Sequence, residues 1–215
     1  MLRKEKKSAI KRKLTQTLFL LGAVVLFGSG CIKVDEVDMI YNIDKDFNGS
    51  LEYIYYLSSD EETKEERIKE IDEFWNKDLP KIKSDFEKGK TEDGEKIFSC
   101  YKNINVKPLS KQEEKCKASL YMEFCLFATS VFNEWENCKI VRNNNIISFT
   151  FEGIPKQLKD YEAPVKLVIK YKGGIKENNA DSYDEKNKTM IWELKPKTKK
   201  SIHFVLEFDK KKDSK

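Results

Sequence analysis

The chain has very little histidine, and none of its apolar runs is as long as a membrane-spanning helix. It contains one histidine among 215 residues. This argues against nucleophilic catalysis of the triad type, which pairs a serine or cysteine with a histidine base and an orienting acid. No glycine-rich phosphate loop occurs, and nothing singles out a catalytic pair among the 37 acidic residues. The sequence therefore predicts no enzyme, no cofactor and no metal site.

The first 31 residues have the three-part order of an export signal. Residues 1–13 carry seven Lys or Arg side chains against Glu5 alone, and residues 18–27 are an unbroken apolar run. That run is shorter than the roughly 20 residues of a spanning helix, which disfavours an uncleaved anchor. Gly28-Ser29-Gly30-Cys31 then closes the segment.

This ending resembles the lipobox of bacterial lipoproteins, although Gly28 stands where leucine is usual. The resemblance implies cleavage between Gly30 and Cys31, followed by attachment of a diacylglyceryl group to the Cys31 thiol. An ordinary secretory signal would not need the cysteine. We therefore expect a lipid-anchored protein in the bacterial cell membrane or outer membrane, with its domain outside the cytoplasm.

Removal of the signal changes the charge of the chain. The whole chain has a formal charge of +4, of which residues 1–30 supply +6, so the remaining 185 residues carry about −2. Nucleic-acid binding needs a clustered basic surface, and the charge of the remaining chain does not support such a function. We expect three parts, namely a signal peptide (1–30), one envelope domain (31–208) and a flexible charged tail (209–215).

Four further cysteines are candidates for disulfides. Cys100, Cys116, Cys125 and Cys138 are spaced 16, 9 and 13 residues apart. An even number in an exported chain predicts two disulfides, and the close cysteine pairs of a zinc site are missing. A Cys116–Cys125 bond is disfavoured, because nine residues of a strand extend roughly 30 Å. Two pairings stay open: Cys100–Cys125 with Cys116–Cys138, which a hairpin turning near residues 110–114 favours, or Cys100–Cys116 with Cys125–Cys138.

Hydropathy patterns predict an α+β fold, mainly an antiparallel sheet of hairpins with one long amphipathic, kinked helix packed on it. Segments 34–43 and 51–57 read as strands around Asn48-Gly49, a tight-turn signal. The same turn matches the start of a calcium loop, but Tyr55 stands where the closing glutamate is needed. Further strands are predicted at residues 96–106, 118–127 (followed by a short helix), 139–142, 146–151, 165–171, 188–194 and 201–208. In the last of these, His203 is expected on the polar face with Ser201 and Glu207.

The predicted helix covers residues 63–88. Its N-cap candidates are residues 58–60, and Pro80 predicts a kink or a division into two helices. Its apolar residues recur every three or four positions, at Ile68, Ile71, Phe74, Trp75, Leu79, Ile82 and Phe86. Such a stripe is typical of a core face. The alternative is a ligand crevice between Ile71, Trp75, Leu79 and the sheet, which could hold an acyl chain.

The order of these features resembles the LppM-type lipoprotein domain, best known from mycobacterial envelopes. The likeness lies in Cys31-Ile-Lys-Val, the opening hairpin, the helix and a C-terminal series made of residues 165–171, Gly173-Gly174, 189–192 and 201–208. The family commonly has Pro-Gly where this chain has Gly173-Gly174. The resemblance implies a mixed α/β sheet domain at the cell envelope, with lipid or glycolipid binding in one branch.

Together these features predict a membrane-anchored, non-catalytic binding module. Its expected partners are the membrane, through the diacylglyceryl-cysteine, and a lipid or protein ligand, but not nucleic acid. The alternative is a structural or assembly protein of the envelope, which binds another protein through a sheet edge or the helix.

Overall fold

A computed structural model describes residues 32–88, 101–135, 137–156, 158, 162–197 and 199–208 of the chain. The predicted signal peptide, Cys31, Cys100 and the predicted tail lie outside these residues. The described strands are β1 (Ile32–Ile43), β2 (Gly49–Ser59), β3 (Tyr101–Lys111), β4 (Lys115–Phe124), β5 (Lys139–Asn143), β6 (Ile146–Glu152), β7 (Val165–Tyr171), β8 (Gly174–Asn178), β9 (Ser182–Asp184), β10 (Thr189–Leu194) and β11 (Ser201–Glu207).

The first two strands form the predicted hairpin. Their antiparallel pairing runs from Ile32 opposite Ser59 to Ile43 opposite Gly49. The side chain of Asp44 accepts hydrogen bonds from the backbone N–H groups of Asp46 and Asn48, at 2.8 and 2.9 Å, and so closes the turn. A Cβ at Gly49 would lie 1.9 Å from the carbonyl oxygen of Asn42, so only glycine fits there. The hairpin prediction is confirmed.

Seven strands make the larger sheet, in the order β3-β4-β2-β1-β7-β10-β9. Every pair is antiparallel except β1 and β7, which run parallel from Val37 opposite Val165 to Ile43 opposite Tyr171. Apolar side chains along β1, β2, β4, β7 and β10 point toward one inner face, which is buried.

One kinked helix covers the β2, β3 and β4 half of that inner face. It consists of α1 (Lys64–Glu73), a π-helical segment (Phe74–Asp78) and α2 (Leu79–Lys88). The wide π-helical turn lies just before Pro80, where the missing N–H breaks the normal ladder. The predicted kink is confirmed. The predicted cap at residues 58–60 is wrong, because Ser58 and Ser59 end β2, and Thr63 forms a capping box with Glu66 instead.

A second, four-stranded antiparallel sheet lies over the other half of the inner face, in the order β5-β6-β11-β8. The rings of Trp192 on β10 and Phe204 on β11 join the two sheets, with centroids 5.7 Å apart. The short helix α3 (Phe127–Glu134) lies between the sheets, and Phe127 contacts both Tyr41 and Phe149 at 5.0 Å. The predicted α+β class is confirmed, whereas the division into two sheets was not predicted.

Candidate binding site

The predicted ligand face of the helix is largely part of the core. The side chains of Ile71 and Leu79 are 0% and 2% exposed, whereas Trp75 is partly buried at the edge of the same core. The two aliphatic side chains thus fill the interface between helix and sheet, and only the indole of Trp75 is open to a ligand without movement of the helix.

This difference in burial gives a stability prediction. Leu79→Ala is expected to lower the free energy of unfolding by about 2–5 kcal/mol, since it deletes a fully buried side chain and leaves a cavity. Trp75→Ala should cost less, because the indole is only partly buried at the edge of the core. Chemical denaturation of both variants measures the two values. Equal losses would show that both side chains belong to the core to the same degree.

The three described cysteines carry thiols, and no disulfide joins any two of them. Cys116 lies opposite Leu57 and is 3% exposed, and burial raises the pKa of its thiol to about 12. Cys125 is exposed just beyond the other end of β4. The Cys138 thiol donates to the carbonyl oxygen of Val131 at 3.6 Å, and burial raises its pKa to about 11.

These positions correct the predicted pairings within the described residues. A Cys116–Cys138 bond is not formed, because Cys116 is buried at the end of β4 farther from α3, whereas Cys138 contacts α3 itself. A Cys125–Cys138 bond is not formed either, because Cys125 faces solvent while the Cys138 thiol turns back onto α3. The pairings with Cys100 lie outside the described residues.

His203 lies on the outer face of the smaller sheet, as predicted. It pairs with Thr150 of β6, whose hydroxyl lies 3.1 Å from the His203 Nδ1 atom. Its Nε2 atom is 3.5 Å from a carboxylate oxygen of Glu177 on β8, and about a third of its side chain is exposed. The imidazole is thus a solvated sheet residue.

A buried polar cluster, formed by Glu134, Ser130, Tyr41, Tyr53 and Tyr101, lies between α3 and the larger sheet. Glu134 is 0% exposed and accepts hydrogen bonds from the phenols of Tyr53 and, at 2.9 Å, Tyr101. Ser130 lies one turn earlier, with its hydroxyl 2.9 Å from that of Tyr101 and 3.4 Å from that of Tyr41. Hydrogen bonds thereby connect β1, β2 and β3 to α3.

Burial and the Glu134 carboxylate, in that order, raise the pKa of Tyr41, Tyr53 and Tyr101 well above the ordinary value of a phenol. The three phenols therefore remain protonated at physiological pH, with Tyr53 and Tyr101 donating to Glu134 and Tyr41 accepting from Ser130. Such an arrangement holds the helix in place, because a buried carboxylate needs hydrogen-bond donors around it.

A half-open groove of about 280 Å³ lies at the end of the larger sheet where β1 begins. We call it the terminal groove. It is lined by Asp35, Glu36, Tyr56, Leu57, Ser110, Gln112, Lys115, Cys116 and Lys117.

Strand pairing explains how the groove forms. Glu36, Tyr56, Lys117 and Ser110 lie opposite one another in one row across β1, β2, β4 and β3. The register of β1 shifts at a bulge between Val34 and Glu36. The bulge places two consecutive carboxylates on the groove, although successive strand residues normally point to opposite faces.

The floor of the groove is the Tyr56 ring, which is held from two sides. Its hydroxyl donates to Asp38 at 2.9 Å, and this hydrogen bond raises the pKa of Tyr56 to about 12. The Lys117 ammonium lies 4.4 Å from the ring centroid, within the range of a cation–π contact. The groove therefore has an acidic wall on β1, a basic wall on β4 and an aromatic floor between them.

Neither the polar cluster nor the groove was predicted from the sequence. One signal for the cluster was available, because Phe127, Ser130, Val131 and Glu134 have the i, i+3, i+4, i+7 spacing of one helix face. No local signal marks the groove, because its residues meet only through the register of four strands.

Comparison with known proteins gives a structural match but no match by sequence. Neither a scan of protein-family models nor a search of curated proteins gave a match. In the part of the chain that the structure describes, no helix is long and apolar enough to cross a membrane.

The structure is similar to the folded domain of LppM from Mycobacterium tuberculosis, solved by NMR, with a TM-score of 0.50 and 16% sequence identity. The match covers 83% of this chain and 94% of that domain. Yeast LTA4 hydrolase in complex with bestatin matches with a TM-score of 0.32 and 7% identity, over 82% of this chain and 29% of the hydrolase, which is too low to indicate a shared fold. The fold of this chain is that of the LppM folded domain.

Proposed function

We propose that this protein is an envelope lipoprotein, anchored through an acylated Cys31, whose non-catalytic domain binds a lipid or glycolipid headgroup in the terminal groove. The fold it shares with the LppM folded domain, the lipobox-like segment and the position of the groove support this proposal.

The position of Ile32 is the observation that most strongly supports this proposal. Ile32 is the first residue of β1, lies opposite Ser59 and is only 9% exposed. It follows Cys31 directly in the sequence, so no flexible linker separates the proposed anchor from the sheet. Anchoring through Cys31 would therefore hold the end of the sheet at which β1 begins against the lipid surface.

Distances along the strand bring the groove near the headgroups. Two residues of chain extend at most about 7 Å, so Lys33 lies within that reach of the proposed anchor, and Ser58 and Lys115 are level with Lys33. The headgroup layer of a bilayer is roughly 5–8 Å thick on each side. The Lys115 side of the groove would thus reach lipid phosphates.

The groove is suited to a headgroup and not to an acyl chain. Its volume of about 280 Å³ is just below the range for ligand pockets, roughly 300–1,000 Å³. Seven of its nine lining residues have polar or charged side chains, and the other two are Leu57 and Cys116.

A binding role without catalysis is consistent with the placement of the reactive groups. His203 lies on the smaller sheet, whereas the buried cluster and the terminal groove belong to the larger one. The Glu134 carboxylate is enclosed by phenols and is out of reach of a substrate in the groove.

Native mass spectrometry of the full, acylated chain in mild detergent tests headgroup binding. Wild-type protein is expected to retain one lipid, and the double variant Lys115→Glu with Lys117→Glu should lose it. Lys170→Glu is the matched control, because Lys170 is an exposed lysine on the same outer face, in β7. Absence of lipid from the wild type, or equal retention by all three proteins, would refute binding in the groove.

We also propose that the exported protein forms a Cys100–Cys125 disulfide. Tyr101 lies opposite Phe124 in the β3–β4 pair, and the two cysteines are the next residues outward in sequence. Antiparallel pairing brings such positions together. Cys125 is also exposed, so a partner thiol can reach it.

Peptide mapping of oxidised protein under non-reducing conditions is expected to recover the Cys100–Cys125 linkage. After reduction, iodoacetamide should modify Cys125 at least 100-fold faster than Cys116, because the nucleophile is the thiolate, and burial holds the pKa of Cys116 at about 12. Recovery of a Cys116 linkage, or comparable modification rates, would contradict this arrangement.

A further inference from the structure

The four charged side chains of the terminal groove are divided by sign. Asp35 and Glu36 stand on β1, whereas Lys115 and Lys117 stand on β4. Strand β2 lies between them, so the walls are two strand spacings, about 10 Å, apart. The long Lys117 side chain reaches from β4 to the Tyr56 ring on β2, so its ammonium lies closer to the acidic wall than the strands do, and the groove of about 280 Å³ leaves room for a small ligand.

The two walls do not neutralise each other. Asp35 accepts a hydrogen bond from the Ser58 hydroxyl at 2.9 Å and lies 3.9 Å from Lys33, on its own strand. Lys117 rests on the Tyr56 ring. Among the residues that the structure describes, no ion pair links Asp35 or Glu36 to Lys115 or Lys117. Complementary charge is thus presented on both sides of an open space.

We infer that the terminal groove selects a zwitterionic headgroup of the phosphoethanolamine class. This inference rests on the proposed function and specifies its ligand. The ammonium of the headgroup would donate hydrogen bonds to the carboxylates of Asp35 and Glu36. Its phosphate would accept hydrogen bonds from the ammonium groups of Lys115 and Lys117.

The same arrangement disfavours the other common headgroups. A phosphocholine group carries a positive charge but has no N–H to donate to the carboxylates. A phosphoglycerol group has no cation, and its phosphate would leave the acidic wall unmatched. Specificity would thus arise from the acidic wall, and attraction to phosphate from the basic wall.

Calorimetric titration of the full, acylated chain in detergent micelles tests this inference with soluble headgroups. Glycerophosphoethanolamine is expected to bind at least tenfold more tightly than glycerophosphocholine or glycerophosphoglycerol. Glu36→Gln should abolish that preference, and Lys117→Gln should weaken binding of all three about tenfold. Lys170→Gln, on the same face but outside the groove, should change neither. Free phosphoethanolamine is titrated in parallel, and exclusive binding of that compound would reassign the groove to a soluble ligand.

Different results would overturn the selection of a zwitterionic headgroup and the proposed binding of lipid. Equal binding of glycerophosphoglycerol and glycerophosphoethanolamine, or no binding of any headgroup, overturns the selection of a zwitterion. Lipid retention in the native mass spectrum decides the proposed function independently, because that measurement does not depend on which lipid is bound.

Discussion

Glu134→Ala is expected to lower the free energy of unfolding by about 3–5 kcal/mol. The substitution removes the acceptor of two buried phenols, those of Tyr53 and Tyr101, and leaves a cavity between α3 and the sheet. Each unsatisfied buried donor costs about 1–3 kcal/mol, and the cavity adds to this loss. Few single substitutions outside the apolar core should cost as much.

Two companion variants separate the hydrogen bonds from the volume of the side chain. Glu134→Gln keeps the size and one carbonyl acceptor, so we expect a loss of about 1–2 kcal/mol. Glu193→Ala removes an exposed glutamate on β10 and should stay within about 0.5 kcal/mol of the wild type. Chemical denaturation followed by circular dichroism measures all three. A loss for Glu134→Ala no larger than that for Glu193→Ala would show that the cluster does not hold α3.

Cys31→Ser is expected to block maturation of the chain completely. A serine hydroxyl cannot form the thioether that carries the diacylglyceryl group, and without that group the signal should not be cleaved. The variant should therefore retain residues 1–30 and incorporate no labelled palmitate, whereas the wild type loses these residues and gains the label. Labelling of growing cells, followed by electrophoresis, measures both properties together.

Cys125→Ser is the matched control for that experiment, because it removes another cysteine while leaving the lipobox-like segment unchanged. It should be labelled and processed like the wild type. Palmitate labelling of the Cys31→Ser chain would place the acyl group elsewhere and would remove the reason to orient the terminal groove toward lipid.

The local patterns of the sequence predict the elements better than their arrangement. Asn48-Gly49 identifies the β1–β2 hairpin, because the tight turn demands specific residues there. The alternation of Ile202, Phe204 and Leu206 identifies β11 and the orientation of His203. By contrast, the parallel pairing of β1 with β7 joins segments more than 120 residues apart, and hydrophobic periodicity contains no information on such partners.

The strands that escaped prediction are short and polar. β8 contains Lys176 and Glu177, and β9 is only three residues long with all of them exposed. Neither has an apolar face that would indicate a strand. Both are edge strands, β8 of the smaller sheet and β9 of the larger, where charged side chains protect against unwanted pairing.

The candidate site is difficult to predict for the same reason. Glu36 reads as an ordinary solvent-facing position of a strand, and Lys115 and Lys117 precede the strand predicted at residues 118–127. Only the register of β1, β2 and β4 gathers them around Tyr56 with opposite charges on opposite walls. The buried role of Glu134 could be suspected from its place on the apolar face of α3, but its two phenol donors come from the distant strands β2 and β3.

Intact-mass spectrometry of the protein extracted from its native membrane tests the central claim most directly. We expect a polypeptide that begins at Cys31 and carries the added mass of a diacylglyceryl group. A polypeptide that retains Met1, or one that begins at Cys31 without lipid, would contradict the anchoring of the sheet at the membrane surface.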